Sequence, residues 1–288
     1  MKINVTAATG QLGTKAVHVL LEQGVAADDI VVSVRSPQKA DEFAQKGITV
    51  RHADYDKPDT LTSAFRDTDI LLLIPSSAPV EPRIMQHHYA LEAAELAGVN
   101  RIVFASFMAA TPTSKFLIAP FLLYAESRLR LSGLDWTILR DGMYLDPVAD
   151  WIPDLIKMGR LPYPVKNGRV AYISRDDIAR SLAAAVIETG HSEKLYKLTG
   201  TEAISMPELA KIISRVTGKK IVYDHVTEME FADLCRKDDI PEEAIEVLNS
   251  MYRAVDNGEF DQVTDHVKLL TGTPPKTVEH YIGCVIDE

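Results

Sequence analysis

Val5-Thr6-Ala7-Ala8-Thr9-Gly10-Gln11-Leu12-Gly13 lies between an apolar run, Ile3-Val5, and an amphipathic stretch, Leu12-Glu22, where a first strand would turn into a first helix. Glycines at such a turn let the backbone approach a pyrophosphate and let the helix pack close to a sheet. The helix amino terminus adds unpaired N–H groups and a partial positive charge. The glycine pair alone is weak evidence, and its placement between strand and helix is what strengthens it. The related fingerprint begins with glycine where this chain has Ala7. A positive φ there would cost alanine about 1 kcal/mol, and the turn is expected to tolerate it.

Outward from this loop, short apolar runs alternate with amphipathic segments. The runs are Ile3-Val5, Ile30-Val34, Ile48-Val50, Ile70-Ile74, Arg101-Ala105 and Trp136-Leu139. Helical stretches fall at Leu12-Glu22, Pro37-Gln45, Thr60-Phe65, Arg83-Ala97 and Tyr124-Leu131, several of them closed by a glycine (Gly24, Gly47, Gly98 or Gly133). This rhythm predicts an α/β fold of the Rossmann type, a doubly wound parallel sheet. After Leu139 a stretch bearing proline and glycine, Asp146-Pro147 through Pro164, breaks the rhythm and is expected to cross the cofactor cleft. A helix at Asp176-Ile187 and a strand near Leu195-Leu198 could return to the sheet, and Met206-Ile286 reads mostly helical. The expected division is a nucleotide-binding domain of residues 1–140 with 170–198, and a smaller, mostly helical substrate-side lobe of 141–169 with 199–288. No internal repeat is visible.

The second strand ends at Val34 and is followed by Arg35, roughly 20 residues beyond the glycine loop, where an acidic residue would hold the ribose 2′-hydroxyl of NAD. Arginine there would pair with a 2′-phosphate through its planar fork, so NADP(H) is the expected cofactor, with Lys39 a weaker second cation. A net charge of −10 spread along the chain argues against a phosphate-backbone partner, so no nucleic acid is expected. No stretch approaches the apolar length of a membrane helix, and no signal-peptide layout precedes Lys2-Val5, so the chain is expected to be cytoplasmic with no membrane partner. Cys235 and Cys284 are too few for a disulfide framework and lack metal-ligand spacing.

Further stretches carry a family pattern: Ala53-Asp54-Tyr55 after the third strand, Leu71-Leu72-Leu73-Ile74-Pro75-Ser76 at the fourth, and Gly98-Val99-Asn100-Arg101-Ile102-Val103. Two more are specific, in a combination and order hard to meet by chance: Ser132-Gly133-Leu134-Asp135-Trp136-Thr137-Ile138-Leu139-Arg140 and Tyr172-Ile173-Ser174-Arg175-Asp176-Asp177-Ile178-Ala179. With the glycine loop, these make the chain resemble the NmrA-like group of atypical short-chain dehydrogenases, and within it the type 2 NAD(P)H:quinone oxidoreductases, over nearly its whole length. The resemblance implies that Thr9, Gly10, Gln11 and Leu12 surround the pyrophosphate, that Arg35 meets the 2′-phosphate, and that Ser76 lies beside the cofactor. It also implies that Gly142, Met143 and Tyr144 border the nicotinamide or the substrate.

Short-chain dehydrogenases with a catalytic dyad place a tyrosine four residues before a lysine. Here Tyr124-Ala125-Glu126-Ser127-Arg128 has the spacing with arginine in place of lysine, a poor functional copy. Counting back from Ser132-Gly133-Leu134-Asp135 aligns the family's lysine with Ser127 and its tyrosine with Leu123, so packing is the expected role of Tyr124. The catalytic residue is left open, with Ser106, Tyr124 and Tyr144 as candidates; Ser106 reads equally as an ordinary strand-end serine. Adjacent His87 and His88 point to different helix faces, so they are expected on a solvated surface, and no metal site is expected. The expected activity is NADPH-dependent reduction of a small-molecule acceptor such as a quinone, with homodimerisation left open. The alternative is a non-catalytic NADP(H) redox sensor of the NmrA type.

Overall fold

A computed structural model describes residues 1–287 as two compact units. The first comprises Met1–Phe107, Pro120–Arg140 and Arg175–Tyr196. Its strands are β1 (Ile3–Thr6), β2 (Ile30–Val34), β3 (Thr49–His52), β4 (Ile70–Leu73), β5 (Arg101–Phe107) and β6 (Asp135–Asp141). Its helices are α1 (Gln11–Glu22), α2 (Asp41–Gln45), α3 (Pro58–Phe65), α4 (Val80–Ala97) and α5 (Ala119–Arg130). The second unit comprises Met108–Ala119, Asp141–Ser174 and Lys197 onward. It holds α6 (Asp146–Asp150), α7 (Ile152–Met158), β7 (Arg160–Tyr163) and β8 (Arg169–Val170). The chain then returns to the first unit for α8 (Arg175–Ile187) and β9 (Lys194–Leu198), which runs to its edge. The remainder, β10 (Ile204–Ser205), α9 (Met206–Thr217), β11 (Val222–His225), α10 (Glu228–Lys237), α11 (Glu242–Asp256), α12 (His266–Thr271) and α13 (Val278–Asp287), belongs to the second unit.

The central sheet has the order β3-β2-β1-β4-β5-β6-β9, the reversal of a doubly wound Rossmann-type fold on either side of β1. The pairs β2–β3, β1–β2, β1–β4 and β4–β5 are parallel, in registers such as Val5 opposite Val32 and Leu72. Every residue of β1, β2 and β4 is buried, as expected of parallel strands covered on both faces, whereas edge strand β3 is only partly covered. Helix α1 buries Leu12, Gly13, Ala16, Val17 and Leu20 and packs against α8, joined by a Lys15–Asp176 ion pair of 2.6 Å. The four glycines expected to close helices all have positive φ: Gly24 85°, Gly47 83°, Gly98 72° and Gly133 78°.

Two expectations change in detail. Pro37-Gln45 is not one helix; a 3₁₀ turn at Pro37–Ala40 precedes α2, and no side chain caps either piece. The irregular stretch expected after Leu139 contains two short helices, since Pro147 and Pro153 each sit in a first turn, where a missing N–H costs nothing.

In the second unit β7 pairs parallel with β11, and β8 antiparallel with β10. Capping boxes start α9 (Ser205 with Glu208) and α10 (Thr227 with Glu230). Tyr163, Phe231 and Tyr252 form an aromatic core, with Tyr163 and Tyr252 rings 4.9 Å apart. No helix among the described residues is long and apolar enough to cross a membrane.

Candidate functional site

The glycine loop takes the geometry its sequence implies. Ala7 has a φ of 49°, the left-handed conformation anticipated for that position, and its carbonyl accepts from Gly10 N at 2.9 Å. A Cβ on Gly13 would stand 2.4 Å from the Ala7 oxygen and 2.8 Å from Ala8 Cα, so no larger residue fits beneath the turn. Gly10 caps α1 without a side-chain hydrogen bond, and the first helical bond is Thr14 N to Gly10 O at 2.9 Å. The amides of Gln11, Leu12 and Gly13 therefore lead the helix. Thr9, Gly10 and Gln11 are exposed and Leu12 is buried. Arg35 is exposed just after β2, and helix-leading amides and a guanidinium are both groups that suit phosphate oxygens.

Beside the loop, Thr6 ties β1 to the end of β4, accepting from Ile74 N at 2.9 Å. The Tyr55 hydroxyl donates to the Ile74 carbonyl at 2.8 Å. The Ser76 hydroxyl donates to Gln86 Oε1, and Gln86 Nε2 donates to Asp56 at 2.7 Å. Tyr55, Ser76 and Gln86 line a small recess that Arg83, His87 and Phe121 also line. Arg83 lies over the Phe121 ring at 5.3 Å, and burial lowers its pKa to about 10.

The histidine pair is a correction. His87 is 4% exposed, packed 4.8 Å from the Phe104 ring, and its Nε2 has no protein partner. Burial pushes its pKa down to about 3, so it is neutral. The solvated surface fails because His87 falls on the face of α4 that buries Gln86, Ala90, Leu91, Ala93 and Ala94. His88 is half-buried, its Nδ1 3.0 Å from the Tyr124 hydroxyl. Arg128 pairs instead with Glu95 at 2.9 Å. Tyr124 and Arg128 are thus each engaged by a side chain of α4. Among the described residues no group of three or more His, Cys, Asp or Glu is placed to hold a metal.

Ser106 is buried, and its hydroxyl donates to Glu126 at 2.7 Å. Glu126, 2% exposed, also accepts two hydrogen bonds of 2.7 Å from Arg140 and pairs with Arg130 at 3.2 Å. Ser106 belongs to a buried ionic network that ties β5, α5 and β6 together.

Gly142, Met143 and Tyr144 fall in the second unit. Gly142 donates to the Leu198 carbonyl at 2.7 Å, and a Cβ there would collide with the same oxygen at 2.7 Å. Met143 is buried and accepts from Ile173 N at 3.1 Å. The half-buried Tyr144 donates its hydroxyl to Asp141 Oδ2 at 2.9 Å. Asp141 is 1% exposed, and burial pushes its pKa up to about 8. The sequence reading missed Asp141, Arg83 and the burial of His87. The signal for the burial of His87 was its place three, four and seven residues before Ala90, Leu91 and Ala94, on one face of α4.

Comparison with known proteins agrees with this architecture. The chain matches the NmrA-like family over residues 1–282. It is 35% identical to quinone oxidoreductase 2 of Escherichia coli over 282 residues, 98% of this chain and 97% of that one. Among solved structures it resembles a Staphylococcus aureus protein described as a nucleoside-diphosphate-sugar epimerase (TM-score 0.92, 33% identity, 98% of this chain and 100% of that one). It also resembles the Citrobacter sp. triphenylmethane reductase complexed with NADP(H) (TM-score 0.91, 30% identity, 97% and 98%). The chain belongs to the NmrA-like family.

Proposed function

We propose that this protein is an NADPH-dependent oxidoreductase that reduces a quinone or a similar small planar acceptor without a Tyr/Lys dyad. The observation that carries the cofactor is the loop itself: free-leading amides of α1, a glycine that admits no Cβ, and Arg35 where an acidic residue would select NAD. NADP(H) is supported by the reductase relative that binds it. In this reading Thr9, Gly10, Gln11 and Leu12 hold the pyrophosphate, Arg35 holds the 2′-phosphate and Ser76 lies beside the cofactor. Gly142, Met143 and Tyr144, in the unit read as the substrate side, meet the nicotinamide or the acceptor.

When bound, NADPH supplies the hydride. The acceptor class follows from the missing dyad. Tyr124 is bonded to His88 and Arg128 to Glu95, so neither is set to work as the proton-moving pair that an alcohol or sugar substrate requires. That argues against the epimerase activity attributed to the Staphylococcus aureus neighbour. Relatives named for a quinone and a triphenylmethane compound favour a conjugated acceptor. The same missing dyad suits a non-catalytic NADP(H) sensor. Following NADPH oxidation across a quinone panel, with calorimetric affinities for NADP⁺ and NADPH, separates the two. Turnover is the expected result; tight binding biased to one redox state with no turnover would leave the sensor.

A further inference from the structure

Asp141 ends β6 as a buried carboxyl group. It is 1% exposed and makes no ion pair among the described residues; its Oδ1 has no protein partner. The Tyr144 hydroxyl, 2.9 Å from Oδ2, is the polar side chain that touches it. Both backbones are pinned: Met108 N donates to the Asp141 carbonyl at 2.9 Å, Gly142 N to the Leu198 carbonyl at 2.7 Å, and Tyr144 bridges to Ile173. One carboxyl oxygen is thus bonded to Tyr144 while the other is buried without a partner, and burial disfavours the charged form.

Resting on the reading of Tyr144 as an acceptor contact, we propose that Tyr144 and Asp141 form a two-member proton relay that delivers one proton to the oxygen of the reduced acceptor. Hydride transfer to a quinone leaves a hydroquinone monoanion. The Tyr144 O–H breaks and its proton goes to that oxygen; the Asp141 carboxylic O–H then breaks and its proton goes to the tyrosine oxygen. The Asp141 carboxylate regains a proton from water. The sum is one quinone, one NADPH and one proton giving one hydroquinone and one NADP⁺. Burial supports the assignment, because it keeps Asp141 protonated near neutrality, where an acid donates best. A protonated carboxyl can also donate to the tyrosine oxygen and free the phenolic hydrogen for the acceptor, which a carboxylate cannot do. Tyr144 is then the catalytic residue and Asp141 acts through it.

Two acceptors test this. A water-soluble p-benzoquinone takes a hydride and a proton, whereas a cationic triarylmethyl dye takes a hydride alone and becomes neutral. The quantity read is the ratio of kcat for the quinone to kcat for the dye, with NADPH in excess. The ratio is expected to fall about 100-fold in Tyr144→Phe and about tenfold in Asp141→Asn, in the range for loss of a general acid. Purely structural roles would slow both acceptors in step, and an unchanged ratio in both variants overturns the relay. Wild-type protein that reduces neither acceptor would overturn the proposed function itself, and the relay with it. Infrared spectroscopy gives a readout without turnover: a protonated-carboxyl band is expected at neutral pH and should vanish in Asp141→Asn. An identical spectrum in the two proteins would mean Asp141 is ionised, which also overturns the relay.

Discussion

At the scale of single residues, charge and hydrogen-bond direction decide most of the chemistry. Arg35 is an exposed guanidinium at the end of β2, and its fork matches a 2′-phosphate. Arg35→Asp replaces attraction with repulsion, so NADPH binding should weaken by several kcal/mol at most while NADH binding changes little, as read by calorimetry. An unaltered NADPH affinity would remove Arg35 from the site. Tyr124 presents the opposite case, since its hydroxyl is engaged by His88 and the arginine four residues on is held by Glu95. A working tyrosine acid contributes roughly 10²–10⁴-fold to rate. Tyr124→Phe should therefore lower kcat/KM for a quinone by less than about tenfold, an allowance of ~1.4 kcal/mol. Tyr144→Phe should cost more, and a hundredfold loss at Tyr124 with intact NADPH binding would restore the dyad.

At the scale of elements, the turn from β1 into α1 depends on close backbone approach. Gly13 sits in the first turn of α1 directly over the Ala7 carbonyl, and the contacts a Cβ would make are with backbone, which cannot rotate away. Gly13→Ala should shift the loop and weaken NADPH binding by more than about tenfold, a loss of ~1.4 kcal/mol, whereas thermal stability of the unliganded protein should fall by only a few degrees. Equal NADPH affinity in the variant would show that the loop tolerates a wider turn. Ala7 illustrates the milder side of the same geometry, since its φ of 49° is strained but sterically open to an L-residue.

At the scale of the molecule, two buried titratable groups bend stability in opposite directions with pH. His87 has its pKa lowered from 6.5 to about 3, so its contribution is present above the ordinary value and is lost as pH falls from 6.5 towards 3. Asp141 has its pKa raised from 3.8 to about 8, so its contribution is full below 3.8 and is lost as pH rises through 8. Urea midpoints across this range should show Asp141→Asn gaining on the wild type as pH rises, and His87→Gln gaining on it as pH falls. A wild-type-to-variant difference that stays constant with pH would mean the group in question does not titrate as its burial implies.

The parallel strands β1, β2 and β4, the glycine closures at Gly24, Gly47, Gly98 and Gly133, and the tight turn from β1 into α1 were all legible in the chain. Each is a local pattern: a continuous apolar run, a left-handed cap, a turn between strand and helix. The doubly wound order followed from the alternation of those runs with helices. The environments of His87, Ser106 and Asp141 were not legible. Whether a helix face is wet depends on what lies against it, and His87 is enclosed by Phe104 and Phe121, residues far from it in the chain. Ser106 reads as an ordinary strand-end serine until Glu126, with Arg130 and Arg140 around it, makes it a buried donor. Nothing in the chain marks Asp141; it is folding that buries it at the end of β6 and places the Tyr144 hydroxyl on its Oδ2. Periodicity reports which face of one element is apolar; desolvation and hydrogen-bond partners arise only when elements remote in sequence close around a side chain.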